Sequence, residues 1–227
     1  MPLIVAIDTS GRKGSVALCR GDANSFEVLQ LTSLEGGTYS AQLMPVISRA
    51  LAQHHLAKTL VDGFVVVSGP GSFTGLRVGL ATVKGLCEVL QKPLATVSML
   101  QAVVLTYGQP NQASTAVLDA GRGEIYVGEY QASAGDASLL REYIAKLDEF
   151  IDEARTPVGD LLTPDANVAE RLRAANVSVK LVGPLQADQI ARIGIRKLLA
   201  GNAADPATVD VNYIRRSDAE ILSAPKP

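Results

Sequence analysis

The chain has 227 residues, 47% hydrophobic and 19% charged, with a formal net charge of −2. That is enough for one large or two small domains around a substantial core, in an ordinary globular balance. No basic stripe is present, which argues against a protein that grips a nucleic-acid backbone unaided.

The opening MPLIVAIDTS passes straight into a short apolar run holding Asp8. It lacks the basic start, longer apolar stretch and small-residue cleavage site of a signal peptide. No apolar run approaches the roughly 18 residues of a membrane span. Cys19 and Cys87, far apart and in apolar contexts, read as buried thiols of a reducing compartment. A cytoplasmic protein with no membrane partner is expected.

Residues 3–7 and 15–18 are short apolar runs joined by Gly11-Arg12-Lys13-Gly14, a hairpin signal, and 26–31 extends it. Leu43, Ile47, Ala50 and Leu51 recur near the 3.6-residue period and predict a helix over 40–53, with Pro45 tolerated near its start. Residues 61–67 read as a buried strand. The stretch SGPGSFTGLRVGL (68–80) then launches a helix over 74–91. Residues 93–97 predict a strand, with a helix following through Tyr107.

The opening then recurs about half a chain later. Residues 115–118, Asp119, a Gly-Arg-Gly turn and 125–130 repeat the order of 5–18: apolar run, aspartate, glycine turn, apolar run. Internal duplication is inferred. Helical stretches are predicted near 139–155 and 168–175, a strand over 179–182, and a helix over 186–199. The alternation indicates α/β architecture, with an N-terminal half over 1–110, a smaller half over 111–216 and a flexible tail over 217–227.

The glycine turn invites comparison with a phosphate cradle. A Walker A loop ends Gly-Lys-Ser/Thr, but Gly75 is followed by Leu76. Gly69, Gly71 and Gly75 are spaced one residue too wide for a dinucleotide fingerprint, and Pro70 removes a backbone donor. A helix N-terminus is generically friendly to anions, yet the spacing favours a tight strand-to-helix joint. Gly71, Gly75 and Gly79 recur every fourth residue, with Gly85 beyond. Each interior glycine costs a helix roughly 0.8–1 kcal/mol relative to alanine, so a close contact should offset it. That contact is packing within the domain or a helix–helix subunit interface.

The only histidines, His54 and His55, are adjacent and cannot face one site from a helix. A zinc site or a Ser-His-Asp triad therefore lacks parts, and Ser72 comes one position early for a nucleophile elbow. Asp8, before Thr9 and Ser10, could orient magnesium or a water, or simply close a turn. Asp119 carries the same two readings.

Four segments, IVAIDTS, SGPGSFTGLRVGLATVKGL, DAGRGEIY and NYIRR, resemble the TsaB (YeaZ) family of bacterial tRNA threonylcarbamoyladenosine biosynthesis proteins. They span residues 1 to about 216 in the expected order, and GPGSFTGLRVG is the specific part. The resemblance implies the actin-like ATPase, sugar-kinase and Hsp70 superfamily fold, ribonuclease H-like, with two duplicated α/β halves. It also implies an accessory subunit with no catalytic residue, cofactor or metal of its own. Such a subunit dimerises with and activates the catalytic paralogue TsaD, which modifies the adenosine next to the anticodon. The ATPase TsaE joins the same complex, tRNA is met only through it, and the subunit alone is a homodimer.

The resemblance further implies that the paralogue holds its metal with two histidines four apart, matched here by Met99 and Val103. Neither is a ligand for a hard or borderline ion. Asp8, Thr9, Gly71 and Asp119 remain as vestigial nucleotide-site candidates. Self-association and paralogue binding are expected to share the helices 40–53 and 74–91. Leu43 and Ile47 would supply apolar area, and Gly75, Gly79 and Val83 a close face. Three positions depart from the family pattern: Tyr39 stands before Ser40 where histidine is usual, Gly121 where arginine is usual, and Val211 where proline is common. The alternative is a small kinase or ATPase of this fold using Asp8 and Asp119 around magnesium. Such a kinase needs a glycine-rich adenosine loop, and after Val182 the chain offers Gly183-Pro184 and one helix.

Overall fold

The structure is a computed structural model that describes residues 1–214 except 23, 134, 154–156 and 213. The expected tail (217–227) and the arginines of NYIRR lie outside the described residues. The first half runs β1 (Leu3–Asp8), β2 (Lys13–Gly21), β3 (Phe26–Glu35), α1 (Tyr39–Gln53), β4 (Gly63–Gly69), α2 (Phe73–Leu90), β5 (Leu94–Ser98) and α3 (Met99–Tyr107). The second runs β6 (Ala113–Gly121), β7 (Glu124–Ser133), β8 (Asp136–Lys146), α4 (Leu147–Glu153), β9 (Asp160–Thr163), α5 (Ala166–Ala174), β10 (Lys180–Leu181) and α6 (Ala187–Leu199). A short 3-10 turn, Lys58–Leu60, precedes β4.

Both halves follow the same order of elements, and their sheets agree. The strand orders are β3-β2-β1-β4-β5 and β10-β9-β6-β7-β8, identical once each strand is replaced by its counterpart. The first three strands of each sheet are antiparallel and the others join in parallel. The duplication expected from the aspartate and glycine turns is therefore present in the topology.

β1 and β4 are buried along their whole length, as strands covered on both faces must be. α1 and α2 pack together and cover one face of the first sheet. α6, from the second half, covers the other. It lies so close that a Cβ on Gly194 would collide with the Val65 side chain. In exchange α3, from the first half, packs on the second sheet. Its Leu100, Val103 and Val104 share a core with Ala116, Tyr130 and Leu162. Each half thus gives its last helix to the other's sheet, so the two cannot separate without exposing apolar core.

Two elements differ from expectation. Residues 139–155 do not form one helix: up to Lys146 they are β8, paired with β7 from Glu124↔Lys146 to Ser133↔Asp136. Among the described residues of that stretch, Leu147–Glu153 is helical. Hairpin pairing with the committed strand β7 overrides a helical pattern that local spacing alone suggests. β9 was not expected, because a four-residue strand carries too little periodicity to register. Pro45 lies in the second turn of α1 rather than near its start. Ala41, whose carbonyl loses its donor there, is exposed, so water can replace the missing bond. Among the described residues no helix is long and apolar enough to cross a membrane.

Candidate functional site

The glycine turn packs on the chain itself on one side, while Gly71, Ser72, Thr74 and Gly75 line the cleft between the halves on the other. Ser72 caps α2, its Oγ accepting the Gly75 N–H at 3.3 Å. The Ser72 N–H donates to the Ser10 carbonyl (2.6 Å), and the Thr9 hydroxyl donates to the Gly75 carbonyl (2.8 Å). A Cβ on Gly71 would stand 2.5 Å from the Ser10 carbonyl oxygen. One on Gly75 would collide with the Thr9 carbonyl oxygen, and one on Gly79 with the Thr9 hydroxyl. Residues four apart share a helix face, and this face receives Thr9-Ser10. The glycines permit direct helix-to-turn contact, and their propensity cost is offset inside the domain. Thr9 and Gly71, candidates for a vestigial nucleotide site, are parts of this joint.

Asp8 lies beneath it, only 4% exposed. Its Oδ1 accepts the Ser10 N–H (2.8 Å) and the Ser10 hydroxyl (2.6 Å). Burial pushes its carboxyl above the usual aspartate range, and the two bonds from Ser10 partly oppose that shift. Asp119 makes the equivalent turn in the second half, its Oδ1 accepting the Gly121 N–H at 2.8 Å, but it is exposed. The Asp119 N–H donates to Asp165 Oδ2 (2.7 Å). Burial pushes the Asp165 carboxyl up as well, and the neighbouring Asp119 charge adds to this, against the bond from its N–H.

Asp119 and Asp165 line a cleft of about 880 Å³ between the halves, together with Arg12, Glu35, Tyr39, Ser72 and Tyr126. Its charged residues are three carboxylates and one guanidinium, a field unfavourable to a bare phosphate. Tyr39 donates its hydroxyl to the Gly11 carbonyl (2.8 Å), tying α1 to the β1–β2 turn where the family pattern has histidine. Burial, then the charge of Asp8, raises its phenol. The arrangement pairs Asp119 with Asp165, whereas Asp8 is not part of the cleft wall. Of the magnesium pair of the kinase alternative, Asp119 lines the cleft while the Asp8 carboxylate is buried on Ser10. Asp165 escaped sequence reasoning, yet a signal existed. Pro164-Asp165 follows β9 as Pro70 follows β4, and Asp165 holds the cap position of α5 as Ser72 does of α2.

Met99 and Val103 stand on the first turns of α3, both buried in apolar core. Beside them, Ser98 donates to Glu142 Oε1 (3.0 Å). The Tyr130 hydroxyl donates to the same oxygen, and Asn212 Nδ2 donates to Oε2 (2.9 Å). Burial and the bond to Glu142 raise the Tyr130 phenol. This polar knot joins β5, β7, β8 and the chain after α6. Among the described residues, no group of three or more His, Cys, Asp or Glu could hold a metal ion.

The five residues expected at a subunit interface face inward. Leu43 is 1% exposed, Ile47 4% and Val83 0%, all within the chain's own core, while Gly75 and Gly79 meet Thr9. A 3.6-residue apolar stripe marks a buried face without saying whose core buries it. The outer face of α1 and α2 is formed instead by Ala41, Met44 and Ser48 with Arg77, Ala81, Gly85 and Val89. Met44 is 45% exposed and Val89 76%. Among the described residues, a Cβ on Gly85 would meet nothing within 4 Å.

The family model described as "TsaD: tRNA N6-adenosine threonylcarbamoyltransferase" matches residues 36–205. The tRNA threonylcarbamoyladenosine biosynthesis protein TsaB of Bacillus subtilis (strain 168) is 33% identical over 58% of this chain and 56% of that protein. Its Escherichia coli (strain K12) namesake is 32% identical over 56% and 54%. The chain spans about half the length of the curated relatives it matches. YeaZ from Pseudomonas aeruginosa superposes with a TM-score of 0.71 over 92% of this chain and 97% of that one, at 23% identity, a likeness of fold. The fold is the duplicated α/β fold of the actin-like ATPase, sugar-kinase and Hsp70 superfamily. With a match covering most of its length, the chain belongs to the TsaD family, as a member of the TsaB (YeaZ) kind.

Proposed function

We propose that the chain is an accessory subunit in the formation of threonylcarbamoyladenosine in tRNA, acting by docking on the catalytic paralogue TsaD and activating it. The observation that carries this is the packing of the glycine turn. The turn that could have cradled a phosphate receives Thr9-Ser10, and Asp8 is committed to Ser10. Met99 and Val103 add support, being apolar and buried where the paralogue is expected to bind its metal.

Docking is supported by the outer face of α1 and α2. Glycine inside an exposed helix costs about 0.8–1 kcal/mol relative to alanine, and among the described residues nothing requires one at position 85. Close approach of a partner helix to Gly85 and Ala81, beside Met44, offsets that cost. A second copy covers the same face when TsaD is absent, so homodimer and heterodimer exclude one another. The interface buries well above ~1,000 Å², TsaE joins the TsaD pair, and tRNA is met through the complex.

The test is gel filtration of the chain with TsaD, then a modification assay on unmodified tRNA with TsaE present. The pair should co-elute and modify tRNA, and the chain alone should neither transfer the group nor hydrolyse ATP. Turnover by the isolated chain, abolished in Asp119→Ala, would favour the kinase alternative.

A further inference from the structure

A second cavity, of about 940 Å³, shares no residue with the interlobe cleft. It lies where the β5 edge meets the last turns of α6, the following loop and the tip of the β7–β8 hairpin. Its size falls within the range of small-molecule pockets. Two adjacent cations line it, Lys197 and Arg196, with Asp136 as the carboxylate.

Lys197 is half-buried, and its Nζ donates to the Thr96 carbonyl and to Gln101 Oε1, each at 3.1 Å. Gln101 is held in that orientation because its Nε2 donates to the Ala137 carbonyl at 2.8 Å. Both acceptors of Lys197 are neutral. An ammonium carries three donors, so one remains for the cavity. Neither Lys197 nor Arg196 has a carboxylate within ion-pair distance among the described residues. Burial lowers the Lys197 ammonium from its ordinary value, and the charge of Asp136 partly opposes this. A partly desolvated cation with neutral partners is a cost that an incoming anion relieves. Ile193 and Ala200 flank the two cations on the same face of α6, and Leu199, Ala203 and Ala204 add apolar lining.

We infer that this cavity binds a small organic anion, with its carboxylate or phosphate head between Lys197 and Arg196 and a compact apolar body against Ile193 and Leu199. Thr96 and Gln101 come from the first half and Asp136, Arg196 and Lys197 from the second. An occupant therefore bridges the two. This site is independent of the docking face.

The probe is 8-anilinonaphthalene-1-sulfonate, an anionic head on an apolar body, titrated into the full chain by fluorescence and calorimetry. Wild type should bind one equivalent. Lys197→Met and Arg196→Gln should each weaken binding about tenfold, the size of a lost charge-assisted hydrogen bond. Asp136→Asn, removing the competing carboxylate, should tighten it about twofold. The uncharged analogue N-phenyl-1-naphthylamine should bind wild type and variants alike. Arg196 is exposed and has no ion pair among the described residues, so Arg196→Gln keeps the fold, and the gain in Asp136→Asn cannot come from unfolding. Equal binding by wild type, Arg196→Gln and Asp136→Asn would overturn the inference. So would loss of the uncharged analogue together with the anion.

Discussion

In each half an aspartate at the end of the first strand accepts the N–H two residues on, at 2.8 Å in both. In the first half that turn is pressed against the start of α2, where Gly71 before the cap and Gly75 and Gly79 in the helix leave room for Thr9 and Ser10, and Asp8 is buried. In the second half the equivalent helix, α5, buries Val168, Ala169 and Leu172. Its cap Asp165 takes the N–H of Asp119, and Asp119 faces the cleft. One topology and one turn thus yield a buried aspartate behind a tight joint on one side and an open carboxylate pair on the other. The residues that decide it lie on the following helix, not in the turn.

The sharpest way to break this comparison is to fill the joint. Gly75→Ala sets a Cβ against the Thr9 carbonyl oxygen and should destabilise by about 3 kcal/mol, the upper part of the overpacking range. Urea denaturation followed by circular dichroism measures it. A loss under about 1 kcal/mol would mean the joint is loose. In the open half, Gly121→Ala meets no atom within 4 Å and costs only its left-handed backbone at φ +73°, about 1 kcal/mol. A third substitution separates the inner face of α2 from the outer. Gly85→Ala should stabilise the chain by about 0.8 kcal/mol at concentrations low enough to keep it monomeric, where the same change at Gly75 is harmful.

The smallest effect is one of pH. Burial raises the Asp8 carboxyl, so the folded state holds its proton to a higher pH than the unfolded state does. Below the ordinary aspartate value of about 3.9 both states are protonated and the group costs nothing. As pH rises from there through the folded value, the unfolded chain binds fewer protons and stability falls, levelling off above. Asp8→Asn should therefore gain on wild type as pH rises through that window, seen in urea midpoints from pH 3.5 to 7. A difference constant with pH would refute the buried charge.

How much of this was legible in the sequence follows from the range of each interaction. The duplication could be read because Asp8 and Asp119 sit in matching local patterns. The joint was one of two open readings, since four-residue glycine spacing demands a close neighbour without naming Thr9. Leu43, Ile47 and Val83 read equally well as a partner's contact face, because an amphipathic stripe looks the same whichever core buries it. β8 and the Asp119–Asp165 contact depend on pairings between distant segments that no local window contains. Asp165 could have been found by carrying the duplication one element further, from Pro70 to Pro164.

The central claim is that the chain acts through the outer face of α1 and α2 and not through its cleft. The most direct measurement is the rate of tRNA modification by TsaD with TsaE, using two variants that each keep the fold by circular dichroism. Gly85→Leu adds bulk to the docking face, and overpacking of 1–3 kcal/mol corresponds to roughly 5- to 150-fold weaker pairing. Asp119→Ala with Asp165→Ala empties the cleft of its carboxylate pair. Gly85→Leu should lose co-elution and stimulation together, while the cleft variant stimulates as wild type does. Full stimulation by Gly85→Leu beside a silent cleft variant would contradict the account.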